Sequence, residues 1–187
     1  FPEMREAVET RHEPAPEPAV EKVTSLRSYQ ERQKLLQKII NEDIPKASRD
    51  IATALEYGDL RENFEYHAAK EAQARLLRRQ EELDRELAEV RPVSFGETTP
   101  DVAGPGAQVT IRRANGEHVA YTILGEWDNN EELAVISQAA ALARAPSGHR
   151  AGETVEVPSL SGTSEPCVIE AVGPIPKAVR EWLDAAI

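Results

Sequence analysis

The feature that most constrains the fold is a long run of apolar residues at steps of three and four, interrupted by one glycine. From Leu26 to Ala54 these residues have helical spacing, and Ser25 is well placed to cap the helix. A second stripe follows Gly58 in a helix predicted from about Leu60 to Val90. Its members are Ala69, Gln73, Leu76, Gln80, Leu83, Leu87 and Val90. Because glycine can adopt the left-handed conformation that ends a helix, the chain is predicted to reverse at Gly58 and form a long antiparallel hairpin.

One irregularity is expected in the first helix. The apolar steps around Ile40 and Ile44 repeat a spacing of four, which departs from a heptad pattern, and Pro45 follows directly. Proline has no backbone N–H and its ring clashes with the preceding turn of a helix. The first helix is therefore predicted to kink or break briefly here.

The pattern changes after Pro92 to short strand-like runs separated by glycine and proline. The runs cover residues 108–112, 118–124, 133–137, 154–157 and 167–172. Asn115-Gly116 lies between the first two runs and is a strong hairpin signal. Short helices are expected over residues 139–145 and 176–187. The predicted fold class is α+β, with a helical coiled-coil hairpin over residues 25–91 and a small β-rich domain over residues 92–187.

Residues 1–24 form a third region, which is acidic and rich in proline. Such a composition is typical of a disordered leader or linker. The chain begins with Phe1 rather than methionine, so we expect a longer parent protein with a segment upstream.

Charge and cysteine content exclude several classes of function. The net charge of −11 argues against stable binding of duplex DNA by the protein alone, because neutralising phosphates requires clustered Lys and Arg. The single cysteine, Cys167, cannot form an internal disulfide and is expected to be buried and inert. No apolar run is long enough for a membrane helix. A cytoplasmic protein is expected.

The segment predicted at the tip of the hairpin carries the most specific motif. Residues 57–71 read YGDLRENFEYHAAKE, in which Asp59 and Glu62 have the spacing of a helix capping box. Capping alone would account for both acids. The whole segment, however, closely resembles the signature of the Gre family of bacterial transcript-cleavage factors. The similarity includes Pro45 and residues 121–125 and 152–157, and it covers most of residues 25–173.

The resemblance implies a protein that is not an enzyme alone. Gre factors insert their coiled coil into the secondary channel of bacterial RNA polymerase and stimulate the polymerase active site to cleave backtracked RNA. Their second domain docks on the polymerase and has a fold like that of FK506-binding proteins. By this resemblance Asp59 and Glu62 are the catalytic acids and help to hold a magnesium ion shared with the polymerase. Carboxylate oxygens suit magnesium, but two of them alone would bind it poorly.

Four further residues are expected to bind the polymerase or the 3′ end of the nascent RNA. They are Arg61, Asn63, Lys70 and Arg75. A solvated helix face, or ordinary surface pairing with residues such as Glu71, would also explain the basic members of this group. Phe64 and Tyr66 are expected to pack and stiffen the tip.

Two departures from the family pattern leave other interpretations open. Leu55 stands where Gre factors usually carry a basic residue, and residues 140–148 replace the family's S-P-I-G-x-A-L-L-G segment in the docking domain. A Gre-like modulator or inhibitor without cleavage activity is one alternative. A plain coiled-coil interaction module is another. Prolyl isomerase activity is poorly supported, because few aromatic residues follow residue 91 and fold similarity alone does not confer activity.

Overall fold

The computed structural model describes residues 21–56, 64–96, 99–158 and 163–185. Its helices are α1 (Leu26–Lys38), a π-helical turn (Ile39–Asp43), α2 (Ile44–Leu55), α3 (Phe64–Glu89), α4 (Ala141–Arg144) and α5 (Lys177–Asp184). Its strands are β1 (Val23–Ser25), β2 (Arg91–Val93), β3 (Ala107–Arg112), β4 (His118–Leu124), β5 (Val135–Ser137), β6 (Thr154–Pro158) and β7 (Ser164–Gly173). The predicted α+β class is confirmed. None of the helices in these described ranges has the length and apolarity needed to cross a membrane.

The start of α1 follows the sequence prediction at its cap. Ser25 has extended backbone angles, and its hydroxyl oxygen accepts a hydrogen bond of 3.1 Å from the Ser28 amide. The buried face of this first turn is formed by Ser25 and Ser28, whereas Leu26, predicted on the apolar stripe, is 47% exposed. The apolar stripe of the first helix therefore begins later than predicted.

The irregularity predicted near Pro45 is a π-helical turn. The Ile44 amide donates to the Ile39 carbonyl, five residues back, and Pro45 follows in the first turn of α2. Such a turn adds one residue to the helical repeat. Ile39 is consequently buried and Ile40 faces outward, which corrects the prediction that Ile40 lies on the apolar stripe. The step from Ile39 to Ile44 brings both residues to the side that packs on α3.

Helix α1, the π-helical turn, α2 and α3 form an arm, in which α3 packs antiparallel to α1 and α2. Arg32 is paired with Glu86 at 2.7 Å, and Gln73 donates to the Ser48 hydroxyl at 3.0 Å. Residue numbers thus rise along α1 and α2 while they fall along α3. Leu83 is fully buried in this interface, and the other described members of its predicted stripe are buried or half-buried. The 26 residues of α3 span about 39 Å.

A small parallel sheet joins the arm to the rest of the molecule. Strand β1 pairs with β2, with Val23 opposite Arg91 and Thr24 opposite Pro92. Val23 and Thr24 are buried. The leader predicted over residues 1–24 is therefore too long at its end, because these two β-forming residues find a hydrogen-bonding partner strand. Residues 1–20 lie outside the described part of the chain.

The β-rich domain is built on a five-stranded mixed sheet of order β5-β4-β3-β7-β6. The predicted hairpin is confirmed: β3 and β4 are antiparallel, and Gly116 has a φ of +84°, which glycine adopts readily. Strand β5 pairs in parallel with β4. It begins at Val135 rather than at residue 133, because Ala134 has a positive φ of 49° and the chain turns there.

Two apolar clusters form the core of this domain. The larger lies against the sheet and includes Val109, Ile111, Tyr121, Ile123, Ala143, Val157, Cys167 and Ile169. The smaller contains Val179 of α5 packed with Leu124, Val135 and Ile175. Both short helices predicted in this domain are confirmed, and α5 ends at Asp184. Ile187, predicted on its apolar side, lies outside the described residues.

Candidate functional site

The first part of the predicted tip segment, residues 57–63, falls between the two described ends of the arm. Helix α2 ends at Leu55, and α3 begins at Phe64. Asp59, Arg61, Glu62 and Asn63 belong to residues 57–63, which lie outside the described residues.

The first turns of α3 present one of the predicted binding residues. Lys70 is exposed, and its Nζ atom lies 5.6 Å from the centroid of the Tyr66 ring, within cation–π range. Tyr66 in turn meets the edge of His67, with ring centroids 5.5 Å apart. The Lys70 ammonium group therefore lies beside the Tyr66 ring while its side chain stays exposed.

Arg75 is open as well but does not share a face with Lys70. Its side chain is 64% exposed, and its guanidinium lies 3.9 Å from Glu71, a distance typical of a weak surface pair. Arg79 is held more closely, by Glu82 at 3.1 Å. At 3.6 residues per turn, Lys70 and Arg75 are about 140° apart around the helix. The two residues therefore lie on different sides of α3.

The prediction that Phe64 packs and stiffens the tip is wrong. Phe64 is 83% exposed, and Leu55 at the end of α2 is also exposed. The inward stripe of α3 starts at Ala69, more than a turn later, so the first residue of this helix has no apolar face to join. Tyr66 is half-buried.

The described residues contain no grouped metal ligands, and their one cysteine is buried. Within residues 21–56, 64–96, 99–158 and 163–185, no three side chains of His, Cys, Asp or Glu are grouped to hold a metal ion. Cys167 is buried, as predicted, and burial raises the pKa of its thiol. Burial likewise raises the pKa of Tyr121, whose hydroxyl donates to the Leu142 carbonyl at 3.0 Å.

One polar centre that the sequence does not predict lies at Asp128. This carboxylate is completely buried where the arm meets the β-rich domain, and it accepts hydrogen bonds from Ser25, Ser28 and Gly125. The sequence contains a partial indication of a turn at this site. Gly125 and Asp128 are residue types common in turns, and they follow the strand predicted over residues 118–124. Nothing in the local pattern indicates that their partners stand at the start of α1.

Protein-family comparisons account for most of the chain. The model described as "Transcription elongation factor, N-terminal" matches residues 23–91. The model described as "Transcription elongation factor, GreA/GreB, C-term" matches residues 97–173. The chain belongs to the GreA/GreB family. This Gre protein is a transcription elongation factor, and the first match begins at the residue where β1 begins.

Two sequence relatives agree with this assignment. The Gre protein is 38% identical over 144 residues to transcription elongation factor GreA of Trichlorobacter lovleyi, which covers 76% of this chain and 91% of the relative. It is 39% identical over 139 residues to GreA of Treponema pallidum, covering 70% and 82%. Among solved structures, GreA factor homolog 1 (Gfh1) of Thermus thermophilus aligns at 21% identity and a TM-score of 0.37, covering 81% of this chain and 98% of that one.

The segment that departs from the family pattern is ordered in this Gre protein. Within residues 140–148, α4 places Ala143 in the core with no exposed surface. The Ser147 hydroxyl donates to the Ala143 carbonyl at 2.8 Å, and Gly148 has a positive φ of 83°. The altered sequence therefore still packs on the core of the β-rich domain, through Ala143.

Proposed function

We propose that this elongation factor binds bacterial RNA polymerase through the secondary channel and stimulates the polymerase active site to cleave backtracked RNA. The observation that carries the proposal is the segment of residues 57–71, which joins the two antiparallel helices of a chain that belongs to the Gre family. The factor supplies side chains to the polymerase and is not a nuclease alone.

The geometry of the arm supports this role. Helix α1 starts, and α3 ends, at the small sheet that joins the β-rich domain. Glu56 and Phe64 are therefore at the other end of a rod about 39 Å long. A rod of this length suits a partner whose reaction centre lies at the bottom of a channel. The β-rich domain remains outside and docks on the polymerase surface.

Asp59 and Glu62 are proposed as the catalytic acids and as ligands of a magnesium ion held jointly with the polymerase. The donor chemistry fits, because magnesium prefers hard carboxylate oxygens and keeps several waters. Bound there, the ion would help to activate a water nucleophile and to stabilise the leaving oxygen. Two carboxylates are too few to hold it alone, so the polymerase must provide the remaining ligands.

The basic and polar residues near the tip are proposed as binding residues. Arg61, Asn63 and Lys70 are assigned to the 3′ end of the nascent RNA and its surroundings. Lys70 is exposed, and the Tyr66 ring lies against its ammonium group. Arg75 is about 140° away from Lys70 around α3, so we assign Arg75 to an acidic surface of the polymerase channel.

A cleavage assay with one conservative substitution tests the proposal. Backtracked elongation complexes are assembled with the cognate polymerase, and RNA cleavage is measured with wild-type protein and with Asp59→Asn. Asparagine caps a helix about as well as aspartate but lacks the charge that magnesium requires. We expect acceleration by wild type and a loss of at least about tenfold, or about 1.4 kcal/mol, with Asp59→Asn at unchanged thermal stability.

Other outcomes would replace the proposal. Slower elongation without cleavage by wild type would identify a polymerase modulator or inhibitor. An absence of polymerase binding would leave a coiled-coil interaction module in which the tip acids only cap the helix. Equal cleavage by wild type and Asp59→Asn would remove Asp59 from the reaction.

A further inference from the structure

The junction between the arm and the β-rich domain is centred on the buried Asp128. One carboxylate oxygen accepts from the amides of Ser25 and Gly125, each at 2.9 Å. The other accepts from the hydroxyls of Ser25 and Ser28. Burying a carboxylate is costly unless it is well hydrogen-bonded. Three of these four bonds come from the first residues of the arm, so the cost of burial is offset only when the arm is in place.

Close backbone contacts beside Asp128 leave no room for β1 to shift relative to the residues that follow β4. A Cβ atom on Gly125 would lie only 2.3 Å from the Thr24 Cα and 2.4 Å from the Val23 carbonyl oxygen. The Glu126 amide donates to the same Val23 oxygen at 2.6 Å. Strand β1 is therefore in direct contact with the chain that leaves β4.

Aromatic contacts extend the junction along α1. Trp127 stacks on Tyr29 with ring centroids 6.3 Å apart and an interplanar angle of 15°. The Arg32 guanidinium lies 4.3 Å from the centroid of the Trp127 ring. On another side of the helix, Arg27 lies 5.1 Å from the Trp182 ring and donates to the Trp182 carbonyl at 2.7 Å. Contacts from two aromatic residues resist rotation of α1 in more than one direction.

We propose that Asp128 is a positioning residue, which holds the arm at one angle to the β-rich domain and so directs the tip to one place when that domain is docked. The arm is a lever about 39 Å long, so a rotation of about 10° at Asp128 would move its far end by about 7 Å. A misplacement of about 1 Å can reduce a catalysed rate about a hundredfold. The fixed angle does not depend on the proposed function, but its effect on cleavage does.

The angle is tested by distances between spin labels in the free protein. Leu77 on α3 and Ala114 in the β3–β4 turn are exposed, and both are replaced by cysteine for labelling, while Cys167 is buried and stays unlabelled. We expect one narrow distance distribution in this otherwise wild-type protein and a broadened or shifted one after Asp128→Ala. Tyr121→Phe is the matched control, since it removes a buried hydrogen bond to Leu142 within the β-rich domain and should leave the distribution narrow.

A second variant covers the case in which Asp128→Ala does not fold. Ser28→Ala removes one hydroxyl donor from the Asp128 carboxylate and leaves the Ser25 cap in place. We expect it to fold and to broaden the distribution by a smaller amount. A wild-type distribution in folded Asp128→Ala, or in Ser28→Ala when the first variant is unfolded, would overturn the proposal.

Cleavage kinetics separate positioning from docking. With Asp128→Ala we expect the rate at saturating factor to fall at least tenfold, while the half-saturating concentration changes less than about threefold, because the docking surface is intact. Tyr121→Phe should preserve both quantities. An unchanged saturating rate alongside a broadened distribution would contradict the link to cleavage. If wild type stimulates no cleavage, the proposed function fails, and the distance measurement still decides whether Asp128 fixes the angle.

Discussion

At the scale of the residue, burial determines the chemistry of Cys167. The thiol lies in the core under the sheet, and burial raises its pKa. Because the thiolate is the reactive form, we expect iodoacetamide to leave the native protein unmodified at neutral pH and to alkylate Cys167 readily in denaturant. Mass spectrometry of the two reactions measures this difference. Rapid alkylation of the native protein would contradict the packing of this core.

Among the described residues of the arm, Leu83 is the most completely buried. It is completely buried between Leu36 and Ile39, whereas Leu77 on the same helix is 43% exposed. We expect Leu83→Ala to lower the free energy of unfolding by about 2–5 kcal/mol. Leu77→Ala serves as the control, with an expected change within about 0.5 kcal/mol. Urea denaturation of both variants gives the comparison, and equal effects would argue against the antiparallel interface.

Single residues also mark the limit of what the sequence predicts. The Ser25 cap and the burial of Cys167 are recognisable from residue type and neighbours alone. The exposure of Phe64 is consistent with the predicted stripe, which begins at Ala69, more than a turn after Phe64. Asp128 is different, because its partners Ser25 and Ser28 are distant in sequence and only the tertiary fold brings them together.

At the scale of the element, the spacing of apolar residues predicts most helices and strands. It does not always predict which residues of a helix face inward. Pro45 and the repeated spacing of four indicate an irregular turn in the first helix. The π-helical hydrogen bond from Ile44 to Ile39 then decides that Ile39 faces α3 and Ile40 faces outward. The sequence does not predict strand β1, because three residues are too few to show the alternation of apolar and polar residues typical of a strand. These residues form a strand only by pairing with β2.

The close approach of β1 to the chain after β4 leads to a test at this scale. We expect Gly125→Ala to destabilise the fold, because the added Cβ would collide with backbone atoms of Val23 and Thr24. The expected cost is at least about 1–3 kcal/mol, in the range of overpacked sites. Gly173→Ala is the matched control, since nothing lies within 4 Å of its Cβ position. Thermal unfolding compares them, and an equally small effect of both substitutions would contradict the contact.

At the scale of the whole molecule, charge separates a polymerase-directed factor from a direct DNA binder. The net charge is −11, and the exposed Lys70 and Arg75 lie on different sides of α3. We expect a dissociation constant for duplex DNA weaker than about 10⁻⁴ M at physiological salt, the weak end of non-specific binding. Fluorescence anisotropy with a labelled duplex measures it. Micromolar binding that weakens steeply with salt would contradict this expectation.

We propose that Asp59 and Glu62 are ligands of a magnesium ion that the polymerase alone holds incompletely. The most direct test is the magnesium dependence of RNA cleavage in backtracked complexes, with wild-type protein, Asp59→Asn and Glu62→Gln. Both substitutions keep the residue types of a capping box and remove only charge. We expect each variant to need about tenfold more magnesium for half-maximal cleavage and to regain activity as magnesium rises. A lower plateau with an unchanged half-maximal concentration would contradict metal sharing.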